Sequence, residues 1–453
     1  MDADELAVQR SDRIFQVWVQ HLLANAPELA SKLASQHCSG APVTANRLAN
    51  GAFNVCYQVS LANGSCVVVR FTALGRVIAR REKVDDEVAI LKFLGQHTRI
   101  PVPKTFGHGK SMVGPYIVMS FIEGNSLSGY LRASSQEIDT LSPSISMSFL
   151  RKAYSGMAEV ILELSKPEFS FIGAIRESES GGWTVSKRPL TLNMNRIAQF
   201  SNIPHEVFKQ GYFTNSADYF EGLALQHLFH LEHQHNDAVI DEADCRMKYI
   251  ARYLFGKCLR QIAADSKHCN GPFRIYCDDL NPGNVLVNSD LVVTGVIDWE
   301  FSYAAPVEYS HAPPWWLLLE RPEDWELDLD KFMVRFMPRF HTFLEVLREC
   351  ESKKINDGSL VQSQCISGAM ERSLETGMFW ISLASRHGAM FDEIYWKFID
   401  QKFFGPFTTI DDRLSLLKDE ERENIETFVA KKLQQASERT LVIHYETSEL
   451  VDF

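Results

Sequence analysis

The sequence predicts an α+β protein in two unequal parts, a small antiparallel-sheet lobe followed by a large, mostly helical one. Three observations carry that reading. Two β-rich runs, 55–61 and 66–71, flank Asn63-Gly64, the strongest short-range hairpin signal a chain can offer. Beyond Gly124 the apolar residues recur at helical spacing over long segments. One β-rich island, 273–297, interrupts those helices.

Taken in order, Phe15, Trp18, Val19, Leu22 and Leu23 mark an amphipathic helix expected to end near Asn25-Ala26-Pro27. From Val43 the period turns to that of strands, and the hairpin follows. A helix is expected from Arg80 to Leu94, with Val84, Val88, Leu91, Phe93 and Leu94 apolar, broken by Ile100-Pro101-Val102-Pro103. The run 115–121 is a buried strand, stopped at Gly124. Helical patterns then cover 147–165, 218–236, 238–265, 327–352, 365–386 and 414–437, with 166–217 expected to be loop-rich. The resulting division is an N-terminal helical extension (1–40), a small sheet lobe (41–123) and a helical lobe (124–453) that contains the island segment 275–300.

Composition narrows the function. The 453 residues, 45% hydrophobic and 11% aromatic, suffice for two or three domains or one bilobed catalytic unit. A net charge of −12 opposes a broad phosphate-binding surface, so no nucleic-acid partner is expected. The nine cysteines form no CxxC and read as free thiols of a reducing compartment. The polar, acidic start MDADELAVQRSDR has no signal-peptide form and no 18-residue apolar run occurs, so a cytoplasmic protein without a membrane partner is expected.

The chemistry lies on the island, in Cys277-Asp278-Asp279-Leu280-Asn281-Pro282-Gly283-Asn284 and Ile297-Asp298-Trp299-Glu300. The spacing D-x4-N, with a second Asp after the next β run, places three oxygen side chains at neighbouring strand ends. Phosphoryl transfer needs such a set: a carboxylate at the attacking hydroxyl, and an amide and a carboxylate holding Mg2+ on a triphosphate. The alternative is an ordinary turn rich in Asx residues.

These two motifs resemble the catalytic loop H-x-D-x4-N and the metal-binding I-D-[WF]-E of the aminoglycoside phosphotransferase and choline kinase group, in particular its fungal phosphotransferase branch. The resemblance extends over roughly 45–410, including Arg188-Pro189-Leu190-Thr191 and the run 375–380. It implies a bilobed protein-kinase-like fold, with ATP and Mg2+ as cofactors. On that resemblance Asp279 is the catalytic aspartate, and Asn284 and Asp298 hold the metal. Met119 precedes a hinge, Ser120-Phe121-Ile122, that offers backbone groups to adenine. The nucleotide-covering loop runs from Leu48 to Asn54 and includes Asn50, Gly51 and Asn54. Glu87 pairs with the basic residue of the third strand, here Arg70 in place of Lys; a solvated helix-face acid is the alternative for Glu87. Cys277 stands where the loop His is usual and is read as a support of loop geometry rather than a nucleophile.

Other constellations carry less. His227, His230, His233 and His235 lack the HExxH spacing and are read as a polar helix rather than a metal site. Gly124 to Gly129 is a hinge followed by a helix cap. Trp315-Trp316 either walls an acceptor pocket or belongs to the core. With no A-P-E segment, a peptide substrate is disfavoured. The expectation is an ATP- and Mg2+-dependent kinase that phosphorylates a hydroxyl of a small molecule. The alternatives are a catalytically degenerate nucleotide-binding pseudokinase, or a kinase fold repurposed in a biosynthetic pathway.

Overall fold

The computed structural model describes residues 3–133, 140–325 and 328–445. Helix α1 (Glu5–His37) leads into strands β1 (Pro42–Asn50), β2 (Asn54–Leu61) and β3 (Cys66–Thr72), helix α2 (Arg80–His97), and strands β4 (Thr105–Ser111) and β5 (Gly114–Ser120). The strands form one antiparallel sheet in the order β1-β2-β3-β5-β4. Gly64, at φ +84°, makes the turn that joins β2 to β3, as the Asn-Gly pair predicts.

Helix α1 runs past the stop expected at Pro27, ten residues further to His37. Proline removes one helical hydrogen bond, but Ala26, Ala30, Leu33 and Ala34 are all buried against the sheet lobe. That small-residue face lets the helix lie close to the strands, and its burial outweighs the local break. Asp4 caps the start by accepting from the amides of Leu6 and Ala7. Its other oxygen accepts from Asn236 in the helical lobe, while Trp18 donates to the Val113 carbonyl in the sheet lobe at 2.7 Å. One helix therefore grips both lobes.

The helical lobe begins with the two-residue strand β6 (Asn125–Ser126), helices α3 (Leu127–Leu131) and α4 (Met147–Leu164). The stretch expected to be loop-rich instead holds a hairpin, β7 (Ala174–Glu177) and β8 (Trp183–Lys187), and helix α5 (Leu192–Phe200). These elements, of four, five and nine residues, are too short for a helical or strand period to register. Helices α6 (Ser216–His233) and α7 (Glu242–Asp265) pack together before the island. There β9 (Arg274–Cys277), β10 (Val285–Val287), β11 (Val293–Val296) and β12 (Ser302–Ala305) form two small antiparallel pairs, β9 with β12 and β10 with β11. Helices α8 (Val307–Ser310), α9 (Leu329–Asn356), α10 (Ser367–Thr376) and α11 (Met378–Arg386) follow. Gly377, at φ +82°, splits the segment expected as one helix over 365–386. The last long helix is Asp419–Glu438. No described helix is long and apolar enough to cross a membrane.

The bilobed α+β architecture is thus present, with one apolar core under the sheet and α1 and a larger one within the helical lobe. The histidines expected on a polar helix are divided. His227 and His230 are buried core groups, pushed down to about 3 by burial and by Arg252. His230 bonds Ser201 and Gln234.

Candidate active site

Strand β9 delivers the motif. Its last residue, Cys277, is buried and directs its thiol to the Glu300 carbonyl at 3.7 Å. Burial raises its pKa, so it is a neutral prop of the loop. Asp278 faces inward, accepting from the Leu192 amide at 2.9 Å and from Tyr303 at 3.2 Å. Arg386 stands 3.9 Å from it, its guanidinium stacked on Tyr276 and Tyr309. Asp278 therefore anchors the loop, and its neighbour Asp279 turns to the cleft.

The loop is tied internally. Asn281 and Asn284 both donate to the Asp279 carbonyl, at 2.8 and 2.9 Å. Asn281 also accepts from the Gly283 amide, and Ser126 donates to the Gly283 carbonyl at 3.0 Å. With its amide group spent on the loop, Asn284 has its side-chain oxygen free to act as a ligand. Its backbone carbonyl accepts from Ile297, which sets Asp298 beside it at the end of β11. Asp298 sits in the left-handed region at φ +62°, where Asp is among the tolerated residues. Buried Trp299 pins the turn by donating to the Val296 carbonyl.

From the sheet lobe, Arg70 on β3 reaches into the same place. It pairs with Glu87 of α2 and bonds the Asp298 carboxylate at 2.9 Å. The solvated-acid alternative for Glu87 is excluded, since its side chain is 1% exposed. One turn earlier on α2, Lys83 is fully buried and pairs with Glu300. It also donates to Asn54, which in turn donates to Glu300 at 3.0 Å. Lys83 and Glu300 were not read as site residues. The available signal was the four-residue spacing from Lys83 to Glu87, which puts both on one helix face. Burial would raise Glu300, but Lys83 and Arg70 outweigh it and hold the carboxyl below its usual range.

The two aspartates behave oppositely to Glu300. Burial pushes Asp279 up to about 7, with Asp298 and Glu300 adding to the rise and Arg321 opposing it. Asp298 is raised by burial and by Glu300, against Arg70 and Lys83. Arg321, also missed in the sequence, lies 3.3 Å from the Asp279 carboxylate.

The remaining expected residues are less uniformly placed. Gly51 and Asn54 close the loop between β1 and β2, the Gly51 amide donating to the Asn54 carbonyl at 2.9 Å. Phe53 there packs on Phe301, edge to face at 5.4 Å. Asn50 ends β1, and its side chain lies outside the described residues. Met119 is buried with Val84, Val88 and Ile117. In the hinge, the Ser120 amide donates to Lys104 and the Phe121 amide to Cys66, so neither is open to a base. Ile122 packs on Gly295, where a side chain would come within 2.7 Å of it.

A polar cavity of about 500 Å³ opens beside the loop, lined by Ser128, Asn281, Asn284, Trp315, Trp316 and Arg321 among others. Both tryptophans are largely buried and belong to the core, which bears out the core reading, and both also line this cavity.

Comparison with known proteins agrees with the motif reading. Residues 197–332 match the family model described as "Phosphotransferase enzyme family", a stretch that contains Asp279, Asn284 and Asp298 but not Arg70 or Glu87. Among curated relatives, "Altered inheritance of mitochondria protein 9, mitochondrial" of Meyerozyma guilliermondii is 23% identical over 57% of this chain and 48% of its own length. "Clavilactone A biosynthesis cluster protein Y" of Ampulloclitocybe clavipes is 24% identical over 60% of this chain and 63% of its own. The chain thus spans about half to three fifths of these relatives. A solved GDP complex of aminoglycoside 2'-phosphotransferase-IIIa aligns with 90% of this chain and 97% of its own, at 12% identity and TM-score 0.40. The chain resembles the phosphotransferase enzyme family over residues 197–332.

Proposed function

We propose that this chain is an ATP- and Mg2+-dependent phosphotransferase that phosphorylates a hydroxyl of a small molecule. The observation that carries the reading is the continuous chain of contacts from Glu87 through Arg70 to Asp298 and Asn284, with Asp279 adjoining. It joins the two lobes and supports the reading of Asp279 as the acid–base carboxylate and of Asp298 and Asn284 as oxygen ligands.

The donor set fits Mg2+ of the kind that shares its shell with phosphates. Arg70 occupies one Asp298 oxygen, leaving the other and the Asn284 amide oxygen. One carboxylate and one amide are too few to hold the ion alone, and sufficient with phosphate oxygens. Among the described residues no cluster of three His, Cys, Asp or Glu is placed to hold a metal. When bound, the ion would neutralise charge on the transferring phosphoryl group. Arg70, oriented by Glu87, would bond phosphate oxygens, and Asp279 would accept the acceptor's hydroxyl proton. The acceptor O–H bond breaks as O–P forms, and the nucleoside diphosphate leaves. Positioning and fixed charge supply most of the rate in such transfers.

The Arg70–Asp298 pair also favours a second reading, a nucleotide-binding protein without turnover, since the arginine competes with the metal for Asp298. Mass spectrometry of a metabolite extract incubated with protein and Mg·ATP separates the two. A species gaining one phosphoryl group, absent without Mg2+ and strongly reduced with Asp279→Asn, is expected. Nucleotide binding with no such species would establish the second reading instead.

A further inference from the structure

The acceptor side of the site has its own charge logic. The loop 319–325 brings Arg321 over Asp279, and its backbone is held firmly. Asp324 donates its amide to the Arg321 carbonyl at 2.9 Å, Trp325 donates to the Glu320 carbonyl at 3.3 Å, and the buried Glu320 carboxylate pairs with Arg335. The Arg321 side chain is not held in the same way. It is 47% exposed, against 8% for Asp279 and for Arg70. It lies 3.3 Å from one oxygen of the Asp279 carboxylate.

The cavity that Arg321 lines is about 500 Å³, and its charged lining side chains are Arg321 and Asp324. That is no acidic bowl for a polycation. A cationic acceptor would meet Arg321 as a like charge and would have to compete for Asp279. An acceptor carrying an anion does the reverse. Its carboxylate or phosphate offers the guanidinium a bidentate partner, drawing Arg321 off Asp279 and opening the carboxylate to the hydroxyl. Trp315 and Trp316 line the same cavity and suit a compact, partly apolar body.

We propose that the acceptor is a compact hydroxylated molecule bearing one anionic group, read by Arg321 as the residue that sets specificity. This rests on Asp279 being the acceptor-facing carboxylate of the proposed phosphotransferase.

Calorimetric titration of the full chain without nucleotide tests it, with four matched probes: 3-hydroxybenzoate, 3-hydroxyphenyl phosphate, 3-hydroxybenzyl alcohol and 3-hydroxybenzylamine. At least one anion should bind about 10-fold or more tighter than the alcohol and the amine, the size of one charge-assisted hydrogen bond. Which anion binds tighter separates a carboxylate from a phosphate acceptor. Arg321→Ala should bring all four within about 2-fold, and Arg321→Lys should keep part of the preference, since the charge persists without the fork. Equal binding of all four, tightest binding of the amine, a preference that survives Arg321→Ala, or no binding by any probe would each overturn the proposal. Anion-selective binding lost in Arg321→Ala, in a chain that phosphorylates nothing, would leave an anion site at Arg321 while defeating the phosphotransferase reading and, with it, the anion's role as acceptor. A phosphorylated product found to be a cation would do the opposite.

Discussion

The two sides of Asp279 are built on different principles. On the side proposed for the nucleotide, Arg70, Glu87, Lys83 and Glu300 are each at most 8% exposed, and every charge is locked to a partner on another element. On the side proposed for the acceptor, Arg321 is half exposed and lines an open polar cavity. A buried ion pair gains little net stability over apolar packing, but removing one partner strands a desolvated charge. An exposed pair costs little to break. On the proposed function, the side toward the nucleotide is therefore rigid and intolerant, whereas the side toward the acceptor is adjustable.

Substitutions on either side sharpen that contrast, beginning with the residue between them. Asp279→Asn should lower phosphoryl transfer by roughly 10²–10⁴ while nucleotide affinity stays, the range of a positioned acid–base group. Single-turnover rates with separately measured nucleotide binding would show it, and loss of affinity with rate retained would reverse the assignment. Next comes the locked side. Glu300→Ala leaves Lys83 uncompensated and should destabilise the chain by about 3–5 kcal/mol in denaturant unfolding. The double variant Lys83→Met with Glu300→Leu should recover much of that loss. Equal losses in the single and double variants would mean that the pair is not a coupled unit.

Arg70→Ala should weaken Mg·ATP binding by roughly 10- to 150-fold, one charge-assisted contact. Arg70→Lys should restore part, and Glu87→Ala should cost less than Arg70→Ala, because it removes only the orienting partner. The smallest effect is on pH. A base must be ionised, so turnover should rise through about pH 7, where burial has moved Asp279. Arg321 favours the charged carboxylate, so Arg321→Ala should move that acid limb to higher pH by a fraction of a unit. An unmoved limb would mean that Arg321 does not act on Asp279 in solution.

What could be read in advance follows the range of the interactions. The Asn63-Gly64 hairpin, helix α2 and the spacing from Asp279 to Asn284 are local, and the residue pattern fixes them within a few positions. The pairing of Arg70 with Glu87 came from a resemblance rather than from periodicity. Glu300 stands within the Ile297–Glu300 motif and Lys83 on the helix of Glu87, but their partnership spans the two lobes and neither segment alone shows it. Asn54 meets Glu300 across 246 positions. The continuation of α1 beyond Pro27 escaped for the same reason: the local rule against proline is sound, and the face of Ala26, Ala30 and Ala34 that overrides it gains its value only against the sheet. Arg321 lies in a short irregular loop, where no period announces which side chain will turn to the site.

The central claim is that the charges gathered around Asp298 form a site for a metal-bound nucleotide, and calorimetric titration of ATP into wild type and Asp298→Ala, each with and without Mg2+, tests it most directly. Wild type should bind ATP far more tightly with Mg2+ than without, and Asp298→Ala should lose that dependence while its thermal unfolding stays cooperative. A wild type that binds no nucleotide, or an Asp298→Ala variant with undiminished Mg2+ dependence, would contradict the account.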